Sequence, residues 1–163
     1  LFYALEHRVF VLNGAPLFSY RKNMPTVLGD GVSPLGALIA ARLPRGSAMG
    51  MPPAGRTLDG VRVALEDVPD FGEPLWLEGP ANRAMGGATS VVYDGAMQHL
   101  AGVAVAATDA VGLKLAAVDL FELPEGPTVI EVNANPMIAT LEDHGRWDLI
   151  ETIWRANIEA ALR

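Results

Sequence analysis

The chain has 163 residues, 50% of them apolar, with a formal net charge of −7 and no cysteine. That is enough apolar material for one core, but it excludes a disulfide framework or thiolate metal centre and supplies no basic stripe for nucleic acid. Gly, Pro, Asp or Arg interrupts every apolar run before the ~18 residues a membrane span requires, so no membrane role is expected, and the lack of cysteine fits a cytoplasmic protein.

Leu1 is followed by neither the basic start nor the apolar middle of a signal peptide, and the chain reads as part of a longer polypeptide. The stretch RVFVLNGAPLFSYRK predicts a hairpin from Arg8 to Arg21 around Asn13-Gly14, a pair that readily takes the positive φ angles of a tight turn. Ser33-Pro34 predicts the capped start of a short helix over Leu35 to Leu43. Residues 44–55 are rich in Gly and Pro without periodicity and predict a mobile loop. Leu58 to Val68 is compatible with a short helix, and Leu75 to Leu77 with a strand leading into the loop PANRAMGGATSVV. Alanine-rich Met97 to Val111 predicts a helix. Ala117 to Leu123 and Thr128 to Asn133 predict strands joined by PEGP, with Pro124 and Pro127 in the connection because neither has an N–H to donate. A last helix is expected from Trp147 to Leu162, with Trp147, Ile150, Ile153, Trp154, Ile158 and Ala161 as its apolar stripe. The sum is a single α+β domain over residues 1–163, an antiparallel sheet with packed helices.

Asp119, Glu131 and Asn133 interrupt otherwise apolar strands. Burying an ionised carboxylate costs several kcal/mol even after relaxation, so acids on adjoining strands invite a cation between them. Oxygen-only ligands suit magnesium; a solvated sheet face with ordinary exposed acids is the bland alternative. The geometry can be stated as a register. In an antiparallel pair the numbers of opposed residues have a constant sum, and a sum of 250 sets Asp119 directly opposite Glu131 with Asn133 on the same face. Val118, Leu120, Ile130 and Val132 would then form the other face, beneath the helix from Met97 to Val111.

The spelling EVNANP, with an acidic residue on the preceding strand, resembles the metal-binding strands of the ATP-grasp superfamily. YRKNMPTVLGDGVSPLGALI resembles the R-x-P…GDG-x-S segment of cyanophycin synthetases and bifunctional glutathione synthetases, and LEDVPDFGEPLWLEGPANRAMGGAT resembles their V-P-x-x-G…N-x-x-x-GG-T loop. The motifs follow the family's order over nearly the whole chain. The resemblance implies the C-terminal, metal-binding subdomain of an ADP-forming carboxylate–amine ligase that works through an acyl phosphate, with ATP and two Mg2+ ions (or Mn2+) as cofactors. Asp119, Glu131 and Asn133 would hold the metals. Arg8 and Arg21 would face the γ-phosphate or the acyl phosphate, where a guanidinium matches phosphate oxygens. Asn82, Gly86 and Gly87 would form the loop against the reacting centre. Small-molecule or peptide carboxylates and amines are the implied partners, and a homo-oligomer is left open.

In relatives the lysines that hold the nucleotide precede the equivalent of Leu1, so the isolated chain is expected to bind ATP poorly. Arg83 stands where relatives often have leucine, and the arginine that glutathione synthetases place shortly before Asn82 is missing, which bears on acceptor recognition. Gly29-Asp30-Gly31 lacks the Lys-Ser/Thr pair of a phosphate loop and is expected to be a structural turn. His7, His99 and His144 have no metal-ligand spacing, although His144 follows the metal strand. A metal-dependent nuclease is disfavoured because its third position would be lysine, where this chain has Asn133. The remaining alternative is a non-catalytic binding module derived from a truncated ATP-grasp domain.

Overall fold

A computed structural model describes residues 5–42, 52–78, 88–89 and 91–162. Its contacts group the chain into two compact units, Leu1–Arg21 with Thr89–Arg163, and Lys22–Ala88.

In the first unit, β1 (Leu5–Leu12) and β2 (Ala15–Asn23) form the expected hairpin, turning through Asn13 at φ 51° and Gly14 at φ 78°. The sheet runs β10-β9-β1-β2-β7, with β8 also against β2; here β7 is Ala88–Thr89, β8 Tyr93–Asp94, β9 Leu115–Leu123 and β10 Gly126–Asn133. Alternation along the strands gives this sheet two apolar faces. Val9, Val11, Val118 and Leu120 pack with Leu100 and Ala104 of α2 (Gln98–Ala110), and Val132 joins them. On the other face Phe10, Phe18, Tyr20 and Ala117 meet Leu141 of α3 (Ala139–Asp143) and Leu149 and Ile153 of α4 (Trp147–Ala161). The rings of Phe10 and Phe18 stack with centroids 4.1 Å apart. Each fully buried side chain of this size contributes about 1.5–3 kcal/mol, so the three helices are held chiefly by these contacts.

Three expectations for this unit need correction. On α4 the buried residues are Leu149 and Ile153, while Trp147, Trp154 and Ile158 are exposed. Helical spacing found Ile150 and Ile153, which do pack on the core, but missed Leu149 and included residues on the exposed side. Pro127 is not in the connection but in β10, opposite Glu122. β10 is the sheet's edge, where a residue without an N–H is tolerated. Ile130 does not join the α2 core; it is 46% exposed.

In the second unit, β3 (Thr26–Leu28), β6 (Pro74–Leu77), β4 (Gly55–Arg56) and β5 (Arg62–Val63) lie in that order in a smaller sheet. Val27, Leu75 and Leu77 pack there with Leu35 and Ile39 of α1 (Leu35–Arg42). The helix considered over Leu58 to Val68 is absent. Gly60 takes φ 83° in a turn, and the carbonyls that follow serve α1: Leu35 N–H donates to Asp67 O and Gly36 N–H to Leu65 O, both at 2.8 Å. The expected cap is replaced as well, since the Ser33 hydroxyl donates to Asp30 Oδ2 at 2.7 Å. Backbone N–H groups of Ser33 and Val32 also bond to the Asp30 carboxylate and hold it below its usual range. Gly29-Asp30-Gly31 is a packed turn, because a Cβ on Gly29 would lie 2.2 Å from the Asp70 carbonyl oxygen. Most of the loop expected at 44–55 lies outside the described residues, and its end, Gly55, belongs to β4. Among the described residues no helix is long and apolar enough to cross a membrane.

Candidate active site

The β1–β9 ladder sets Arg8 directly opposite Asp119, and the β9–β10 ladder sets Asp119 directly opposite Glu131. Arg8, Asp119 and Glu131 therefore form one row across three adjacent strands. Asn133, opposite Ala117, lies one strand repeat along the same face. Directly opposed residues have Cβ atoms roughly 4.5–5.5 Å apart, within reach of a shared ligand. The expected sum of 250 is reached, but only through a bulge. From Gly126 to Val129 the facing positions sum to 249, and from Glu131 to Asn133 to 250, with Ile130 as the extra residue. Continued without a bulge, the first register would set Ile130 against Asp119 and turn Glu131 towards α2.

Within the row, Arg8 Nε donates to Asp119 Oδ1 at 2.6 Å and a terminal guanidinium nitrogen donates to Oδ2 at 2.7 Å. This is a two-pronged, charge-assisted pair. Asp119 is only 3% exposed. The bond to Asp119, opposed by burial and helped by the Tyr20 side chain, raises the Arg8 pKa further above its ordinary value. Tyr20, buried beside Phe10 and Phe18, was not singled out from the sequence; its alternation with Phe18 along FSYRK places it on this face.

Arg21 does not join the row. It lines a cavity of about 500 Å3 with His7, Ser19, Tyr93 and Met97. Nearby, His7 Nε2 and His99 Nε2 each lie 3.0 Å from a different oxygen of Glu122. Burial, outweighing the Glu122 bond, lowers the His7 pKa from its ordinary value. His144 is exposed just past α3. Asn82, Gly86 and Gly87 lie outside the described residues.

Among the described residues no three His, Asp or Glu side chains gather as a metal cage. The donors on the site face are instead two carboxylates and an amide, all oxygen, as magnesium prefers, with room for water and phosphate to complete its coordination. The donor set fits.

Residues 80–156 match the RimK-like ATP-grasp domain family. Among solved structures the chain is similar to a bifunctional glutathione synthetase from Pasteurella multocida, at 18% identity and a TM-score of 0.55. That match covers 95% of this chain and 24% of the synthetase, so the chain spans about a quarter of that protein's length. A comparison with curated proteins returned no match. The fold is an ATP-grasp fold of the α+β class. Both matches agree with the resemblance read from the metal-strand spelling, the family match extending over residues 80–156.

Proposed function

We propose that this chain is the metal-binding, catalytic portion of an ATP-dependent carboxylate–amine ligase that forms an amide or peptide bond and releases ADP. The observation that carries the reading is the opposition of Asp119 and Glu131, with Asn133 on the same face, in an ATP-grasp fold. In the reaction, a substrate carboxylate oxygen attacks the γ-phosphorus of ATP and the bond to ADP breaks, giving an acyl phosphate. An amine nitrogen then attacks the acyl carbon, phosphate leaves with the C–O electron pair, and the amine proton passes to solvent.

Asp119, Glu131 and Asn133 would hold magnesium, which when bound offsets the charge of the triphosphate. Arg8 is assigned to the anionic phosphoryl and acyl-phosphate oxygens, because a guanidinium offers paired donors in a fixed plane. Arg21 alternates with Tyr20 onto the other face of the sheet, beside His7 and Ser19, and is not placed with them. The resemblance implies that Asn82, Gly86 and Gly87 would supply backbone N–H donors to anionic oxygens of the reacting groups. The protein's part is positioning and charge stabilisation, and no side chain is needed as a nucleophile.

The test is ADP release by the polypeptide that carries this chain, supplied with ATP, Mg2+ and a panel of carboxylates and amines. Glu131→Gln is expected to abolish turnover while circular dichroism stays unchanged. Parental turnover in that variant would remove the metal assignment.

A further inference from the structure

Two carboxylates face each other across β9 and β10, and a cation is already provided in the structure by the third strand. Arg8 occupies both Asp119 oxygens, at 2.6 and 2.7 Å, and Asp119 is nearly buried. A divalent ion placed between Asp119 and Glu131 would draw on the same carboxylate and stand close to the guanidinium. Two like charges cannot both be well accommodated by one aspartate in a half-dry setting. We propose that Arg8 is a resident counter-ion which must leave Asp119 before a divalent cation binds there, so that the fork on Asp119 and the metal exclude one another. This deepens the ligase reading and rests on its metal site.

The arrangement has a consequence for binding order. An Arg8 drawn off Asp119 is free to turn its fork to an anion, so an incoming polyphosphate that attracts Arg8 also uncovers the metal ligand. Cation and polyphosphate would then bind cooperatively, and bare cation weakly. In this role Arg8 is a positioning residue: its pairing determines when the Asp119 oxygens are available.

The test uses Mn2+ alone as the probe, followed by electron paramagnetic resonance and by thermal melting of the parent, Arg8→Gln, Arg8→Lys, and Glu131→Gln in the parent and Arg8→Gln backgrounds. Arg8→Gln is expected to bind Mn2+ at least tenfold more tightly than the parent and to gain more in Tm from it. Arg8→Lys, which keeps the charge but loses the fork, should fall between. Should Arg8→Gln be unfolded without a cation, Mn2+ is expected to restore its circular dichroism; if it does not, the folded Arg8→Lys variant decides by the same affinity criterion. Equal or weaker Mn2+ binding in the Arg8 variants, with binding still lost on Glu131→Gln, overturns the counter-ion role and leaves the metal site standing. Mn2+ binding that ignores Glu131 in every background overturns the metal site and the counter-ion role together.

Discussion

Replacing Asp119 with asparagine keeps the shape of the side chain and removes its charge. The Arg8 and Asp119 side chains are 19% and 4% exposed, so the substitution leaves a mostly buried guanidinium without its counter-ion. Breaking a buried pair by removing one partner costs roughly 3–5 kcal/mol; because Arg8 retains some access to water, the lower end, about 3 kcal/mol, is expected. With a urea slope of about 2 kcal/mol per M, the midpoint should fall by about 1.5 M. The transition can be followed by the far-ultraviolet circular dichroism of the helices packed on this sheet. The double variant Arg8→Met/Asp119→Leu provides the contrast, since exchanging both charges for apolar groups is often neutral or stabilising by about 1–4 kcal/mol. It should recover most of the lost midpoint. An Asp119→Asn loss below about 1 kcal/mol, or a double variant as unstable as the single one, would refute the reading that the loss comes from leaving the Arg8 guanidinium unpaired.

Gly29→Ala should destabilise the unit formed by Lys22–Ala88 by about 1–3 kcal/mol, because the new Cβ would meet backbone at 2.2 Å; a melting curve indistinguishable from the parent's would show that the turn gives way. The depressed pKa of His7 makes stability depend on pH. The unfolded chain binds the proton more readily, so the contribution is present in full above the unfolded value of 6.5 and is lost as pH falls below it towards the folded pKa. His7→Gln should flatten the Tm-versus-pH profile in that window, with Glu122, His99 and Arg21 as the neighbouring charges; an unchanged slope would assign the effect elsewhere. Deleting Ile130 should remove the bulge and keep the glutamate opposite Asp119, because the register of Gly126–Val129 then simply continues; loss of Mn2+ binding in a folded deletion variant would contradict the ladder.

Much of this arrangement was legible in the sequence, and for local reasons. Asn13-Gly14 has few alternatives to a tight turn, and the alternation of Val9 and Val11 with Phe10 sorts β1 onto its two faces. The acids on β9 and β10 stood out because their neighbours are apolar. What the sequence concealed was set by partners distant in the chain. Nothing local to Arg8 identifies Asp119, 111 residues away, as its partner; only the antiparallel pairing of β1 with β9 does so. The first turn of α1 likewise looked self-capped by Ser33, yet its N–H groups are satisfied by carbonyls of a turn some thirty residues on. A stretch read as a helix, Leu58 to Val68, forms that turn instead, so the two errors share one cause.

Once the structure gives the length of the turn, the bulge follows by arithmetic. A two-residue connection at Pro124 and Glu125 starts the β9–β10 ladder with Gly126 opposite Leu123, which fixes an odd sum. Asp119 and Glu131 are both odd-numbered and can be opposed only in an even one. The tight turn and the shared face are incompatible in any regular ladder, so an extra residue must lie between them. Ile130 fills that position on the edge strand, where a half-exposed side chain and a gap in the ladder cost least. The charges then explain why the bulge is kept. Moving the register by one residue would place Glu131 against the apolar face beneath α2, and Asp119 with Arg8 would be left facing isoleucine. The irregularity on this edge is thus what converts a strand pair into a row of Arg8, Asp119 and Glu131.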